Sequence, residues 1–173
     1  MSVSAKRLLI TVFAALLFTA GGTGAQSQQL ALRSTDGQTV NLADFRGKVV
    51  VLSFSATWAP LVSKELPAVQ ELADRYTARG VVVYWVSINS LKQGAKTYAS
   101  DADLQAFARR YGLKVPVLRD PEQGVYSALG LTALPTIVVV DPSGGIAHRH
   151  VGFDPGPGDS LEDVSKAIDQ LLK

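Results

Sequence analysis

Residues 49–67 read VVVLSFSATWAPLVSKELP, and this stretch limits what the chain can become more than any other. It begins as a run of apolar and small residues, the pattern of a strand buried on both faces. It breaks at Thr57-Trp58-Ala59-Pro60 and resumes with helical spacing. A strand feeding a helix through a short turn sets that turn at the carboxyl end of a sheet, where α/β folds hold their chemistry. Yet this turn offers an indole, a methyl group and a proline ring. No thiol, acid or imidazole appears before Ser63, Lys64 and Glu65.

The remaining chain supplies the partners such a strand needs. Arg33 to Leu42 reads as a hairpin around Thr35-Asp36-Gly37-Gln38, since Asp-Gly favours the left-handed conformations of tight turns. Leu42 to Gly47 is a connector with Leu42 and Phe45 inward. The first helix is expected from Leu61 to Arg79, with Leu66, Val69, Leu72, Ala73 and Tyr76 on its inner face and a kink at Pro67. Val81–Ile88 is a second buried strand, and Asn89–Ser100 a polar loop. Ser100-Asp101-Ala102-Asp103 caps a second helix that ends at Gly112. A short strand follows at Val115–Leu118, then a turn and short helix over Pro121–Leu129. Strands at Thr136–Val140 and Ile146–Val151 flank the turn at Asp141–Gly145, and after the loop Phe153–Gly158, Ser160 caps a last helix with Leu161, Val164, Ile168 and Leu171 inward. The order β-β-α-β-α-β-α-β-β-α mixes parallel crossovers with an antiparallel hairpin. It implies a three-layer α/β/α sandwich around a mixed sheet.

Residues 1–25 have the pattern of a signal peptide: Lys6 and Arg7, an uncharged run from Leu8 to Ala20, and small residues at Thr23-Gly24-Ala25. The expected domain is therefore 26–173, exported to the periplasm or its equivalent. Two of the 17 basic residues belong to that leader and none of the 15 acidic ones does, so the domain is near neutral. A neutral chain without a basic stripe gives no reason to expect nucleic acid or an anionic membrane as partner. The cysteine count is zero. An exported chain is free to form disulfides, but this one can neither form nor exchange one, nor attack through a thiolate. Its only methionine is Met1, which leaves no sulfur ligand for copper in the domain.

Several stretches, in one order and at one spacing, resemble the thioredoxin-fold family, and within it the exported TlpA/ResA-like and redoxin (AhpC/TSA-related) group. Leu42-Ala43-Asp44-Phe45-Arg46-Gly47-Lys48-Val49 is similar to the family's lead into its central strand. Phe54 to Pro67 is similar to its active-site segment, Leu134-Pro135-Thr136 to its cis-proline strand, and His150-Val151-Gly152 to its closing strand. The resemblance implies a thioredoxin-like three-layer α/β/α sandwich over residues 30–173. It also implies a thiol-disulfide oxidoreductase, except that the family's two cysteine positions hold Ala59 and Val62, and the strand position of a buried acid holds Ser53. The further departures at Ser55, Leu61 and Ser63 read as natural divergence rather than the replacement of two cysteines. The frame residues Trp58, Pro60, Glu65, Pro67 and Pro135 persist.

The expected function is accordingly non-catalytic: binding of an extracytoplasmic protein or peptide by Trp58, Ala59, Pro60, Leu134 and Pro135. The resemblance places a partner chain beside Leu134, where main-chain hydrogen bonds need no thiol; the other reading is that Pro135 is simply a fossil of the fold. Trp58 is either the floor of that groove or a packing residue of the first helix. His148 and His150 share one face of a strand, but a catalytic zinc wants a third protein ligand and none is signalled; no metal or cofactor is expected. Lys64 and Glu65 read as solvated first-turn charges. Ser55, Thr57 and Ser63 lack an adjacent base and orienting group, which argues against a hydrolase. The reading from another class is the oxidoreductase that family membership alone would assign.

Overall fold

The computed structural model describes residues 30–156 and 160–173. The proposed signal peptide lies outside them, as does part of the loop before the last helix. Asp36-Gly37 turns the chain as its residue types demand, with Gly37 at φ 91°. Both arms of that hairpin become strands, β1 (Ala31–Ser34) and β2 (Thr39–Asn41), so three strands rather than two precede the first helix. The central strand β3 (Val50–Ser55) is buried along its whole length. It feeds α1 (Val62–Tyr76), β4 (Val82–Ser87), α2 (Asp101–Arg110), β5 (Val117–Arg119), α3 (Gly124–Ala128), β6 (Thr136–Val140), β7 (Ile146–Val151) and α4 (Glu162–Leu171).

The seven strands form one mixed sheet in the order β2-β1-β5-β4-β3-β6-β7. β3, β4 and β5 run parallel, while β6 pairs antiparallel with β3, and β1 with β5. The path β3 to β4 to β5 advances in one direction across the sheet. Right-handed crossovers then put both connecting helices on the same face. Trp85 of β4 stacks on Phe107 of α2 at 6.1 Å, and Ser53, its register partner on β3, meets α1. α4 joins this layer: the Tyr76 hydroxyl donates to the Ser165 carbonyl. The opposite layer is thin, with α3 contributing Tyr126 edge-on to Phe54.

α1 starts one residue later than its spacing suggests and ends at Tyr76, with Thr77–Arg79 continuing as a 3-10 turn. Pro67 lies within it and the helix runs on without interruption. α2 carries the anticipated cap: Ser100 accepts from the Asp103 N–H while Asp103 accepts from the Ser100 N–H. α4 does not follow the expected cap at Ser160. Its N-cap is Leu161, without a side-chain bond.

One buried cation braces the carboxyl end of the sheet. The Arg119 guanidinium, fully enclosed, donates to Asp101 Oδ1 at 2.7 Å and to the carbonyls of Ala99 at 2.7 Å and Asn89 at 3.3 Å. Burial pushes the Asp101 carboxyl up, but Arg119 and Arg33 outweigh it and hold the group below its usual range. Arg119 thus ties the loop after β4 to the end of β5. Replacing Arg119 by Met strands two buried carbonyls and half of the Asp101 pairing, and should destabilise the fold by about 3 kcal/mol in urea denaturation.

Candidate functional site: the turn after β3

β3 and β6 are antiparallel, and their register pairs Phe54 with Thr136. Continued two residues, it brings Ala56 opposite Leu134, so the turn 57–61 and the Leu134-Pro135 segment emerge at one end of neighbouring strands. The Leu134–Pro135 peptide bond is cis. Asn89, following the parallel strand β4, arrives at the same end. Its Oδ1 accepts from the Thr57 N–H at 3.0 Å, and its Nδ2 donates to Thr57 Oγ1 at 2.9 Å and to the Thr97 carbonyl at 3.0 Å. That side chain fixes the entry to the turn.

Along the turn, exposure alternates. Trp58 is 49% exposed and Leu61 41%, and Pro60 is exposed as well, while Ala59 and Val62 are buried at 6% and 4%. Trp58 is therefore a surface residue, not a buried packing residue of α1. Leu61 occupies the left-handed region at φ 63°, a conformation that costs a branched side chain roughly 1–2 kcal/mol. Its carbonyl accepts from the N–H groups of Lys64 at 2.8 Å and Glu65 at 2.9 Å. Leu134 is half-buried and Pro135 buried. Among the described residues, no hydrogen bond engages the N–H or C=O of Leu134.

Glu65 is not a solvated first-turn charge. It is fully buried, whereas Lys64 beside it is exposed. Ser53 Oγ donates to Glu65 Oε1 at 2.6 Å, so the chain places a buried acid from the helix at the point where its strand offers a hydroxyl. Among the described residues, Glu65 Oε2 and Ser55 Oγ have no partner at full hydrogen-bond geometry, although the Ser55 hydroxyl lies close enough to act on the carboxyl. Burial pushes the Glu65 carboxyl up to about 7, against the weaker opposing pull of the Ser53 and Ser55 hydroxyls. The helical spacing could have announced this, because Glu65 lies three residues after Val62 and four before Val69, on the apolar stripe.

His148 and His150 meet a common carboxylate on α4, a contact that no sequence spacing announced. His148 Nε2 lies 2.8 Å from Asp163 Oδ2, and His150 Nδ1 lies 3.0 Å from both Asp163 oxygens. Burial raises the Asp163 carboxyl, and the two histidines more than reverse that, leaving it below the usual range. Both imidazoles thus help hold α4 to β7, and the buried His150 Nε2 has no hydrogen-bond partner among the described residues. Among the described residues no group of three or more His, Cys, Asp and Glu is disposed to hold a metal. Nor is any described helix long and apolar enough to cross a membrane.

A mixed sheet with this strand order, entered through a turn between β3 and α1 and flanked by the segment before β6, defines a thioredoxin-like domain. The sequence pattern of the AhpC/TSA family matches residues 23–149, and the chain belongs to that family. It is 30% identical over 129 residues to the thiol-disulfide oxidoreductase ResA of Halalkalibacterium halodurans, spanning 75% of this chain and 68% of that one. It is 32% identical to the thioredoxin-like protein YneN of Bacillus subtilis, over 75% and 71% of the two chains. The crystal structure of the exposed lipoprotein thioredoxin from Streptococcus pneumoniae superposes with a TM-score of 0.61 at 29% identity, covering 79% of this chain and 97% of that one.

The shifted carboxyl has a consequence for stability. A group that binds its proton more tightly when folded stabilises the fold below its unfolded value of 4.5, and this advantage is lost as pH rises toward 7. The full difference is roughly 3 kcal/mol at 1.36 kcal/mol per unit. Urea unfolding of the wild type against Glu65→Gln should therefore show the variant gaining relative stability between pH 5 and pH 8.

Proposed function

We propose that this chain is an exported, redox-inactive thioredoxin-like domain that docks an extended segment of a partner protein. The segment would lie beside Leu134, over the apolar surface of Trp58 and Pro60, with Ala59 and Pro135 beneath. The observation that carries this reading is the unpaired N–H and C=O of Leu134, set beside an exposed indole and an exposed leucine. An extended chain adding alongside gains main-chain hydrogen bonds from such a residue, and flanking pockets select its side chains. Tryptophan is the side chain most often found anchoring such contacts.

The ResA relative is named as a thiol-disulfide oxidoreductase, an activity that transfers electrons through two sulfurs. Here both positions carry alkyl groups, and the chain has no cysteine anywhere. What the frame can still supply is shape and hydrogen bonding. Export is supported by the N-terminal pattern of residues 1–25 and by the surface exposure named for the Streptococcus pneumoniae relative. Nothing in the charge balance draws the domain to nucleic acid.

The test is binding of the chain to an array of extended peptides, with insulin reduction measured in parallel. Selective peptide binding that Trp58→Ala weakens at least about tenfold, with unchanged unfolding midpoint, is the expected result. Insulin reduction should stay at background. Turnover above background would overturn the redox-inactive reading, and peptide binding indifferent to Trp58 would overturn the docking surface.

A further inference from the structure

Glu65 has no part in docking as described above, yet it is the most unusual ionisable group in the domain. It is wholly enclosed, has one hydrogen bond, and has no cation beside it. Three buried polar atoms without partners belong to this region: Glu65 Oε2, Ser55 Oγ and Trp85 Nε1. Register places Ser53 next to Trp85 and Ser55 next to Ser87, on the face of β3 and β4 that α1 covers. From β6 the neighbour in the same row is Ile137. Beyond it lies His150, two strands from Ser53 and so roughly 10 Å away, already bonded to Asp163 of α4. α2 faces this region with Phe107. On α1 itself, Lys64 points to solvent, while Tyr76 lies three turns on and bonds to Asp169 of α4. Among the described residues, no positive charge is placed to neutralise an ionised Glu65.

The two protonation states therefore make different demands. A neutral carboxyl keeps the Ser53 bond and buries no charge in this apolar setting. An anion there can draw on the Ser53 and Ser55 hydroxyls but meets no cation among the described residues, and those hydroxyls with the helix N-terminus offset only part of the cost of burying it. What remains must come from water. The way in is the turn, because Leu61 holds the Lys64 and Glu65 N–H groups through its carbonyl while sitting in a strained backbone conformation. Val62, one turn before Glu65 on the same face, is the side chain that has to lift.

We propose that loss of the Glu65 proton opens the turn 57–61, so that the surface beside Leu134 docks its partner more tightly in acid than in alkali. The docking half rests on the function proposed above; the opening of the turn does not. The sign follows from linkage: the closed turn holds the proton and the opened, hydrated turn releases it, so alkali favours opening.

Amide hydrogen exchange at Val62, Lys64 and Glu65 tests the opening without any partner. Divided by the intrinsic rate, protection should fall more than about tenfold between pH 5 and pH 7 and then level off, since the closed carboxyl titrates at about 7. Glu65→Gln should keep it flat. An equal fall in Glu65→Gln, or no fall in the wild type, overturns the proposal. Should that variant not fold, the carboxyl carbon resonance of Glu65 in the unaltered chain serves instead. Its midpoint must coincide with the levelling of protection, and a midpoint in the ordinary carboxylate range overturns the proposal. Peptide affinity at pH 5.5 and pH 8 separates the two readings. Falling protection without peptide binding removes the docking surface and supports the opening, whereas binding equal at both pH values with flat protection does the reverse.

Discussion

The contact between the end of β3 and the first turn of α1 sets the position of everything else at the functional end of the molecule. β3 is hydrogen-bonded along both edges, to β4 and to β6, so it cannot shift without dismantling the sheet. The Ser53–Glu65 bond then fixes the rotation of α1 about its axis, because only one face of the helix can bring Glu65 to the strand. With α1 placed, Ala59 and Val62 turn inward while Trp58, Pro60 and Leu61 are left outside. A polar bond inside an apolar interface is a weak source of net stability, but it has one satisfying geometry where leucines would have several.

The fold was legible because its signals are local. Six buried residues in a row on β3, the Asp36-Gly37 turn and the Ser100 capping box each depend on neighbours within a few residues. Three features were not legible, each for a physical reason. That α1, α2 and α4 share one face follows from the direction in which strands are added, which local patterning does not encode. Arg119 sits at the end of a short strand, where an arginine is ordinarily solvated. Only the convergence of Asp101 and two loop carbonyls makes its burial tolerable. Asp163 meets His148 and His150 from across a loop, a pairing that depends on where α4 lands. Glu65 is a different case. Its place on the apolar stripe was visible, and the general rule that charges face water outweighed it.

Kinship and chemistry diverge within this one chain. Relatives named as thiol-disulfide oxidoreductases match it over about three quarters of its length. The side chains at the two decisive positions are small or apolar and lie in the core, continuous with Leu66 and Val69. The absence of sulfur has thus been absorbed by packing. The surface at this turn offers shape, an exposed indole and, among the described residues, unpaired backbone groups at Leu134.

Leu61 shows what such a surface retains. Its backbone adopts a conformation in which glycine is at ease and a branched side chain is not, and its side chain is partly in solvent. Glycine at this position would relax the chain and shed an exposed hydrocarbon at once. Holding leucine there instead leaves the turn with both a strained backbone and a hydrocarbon in contact with water.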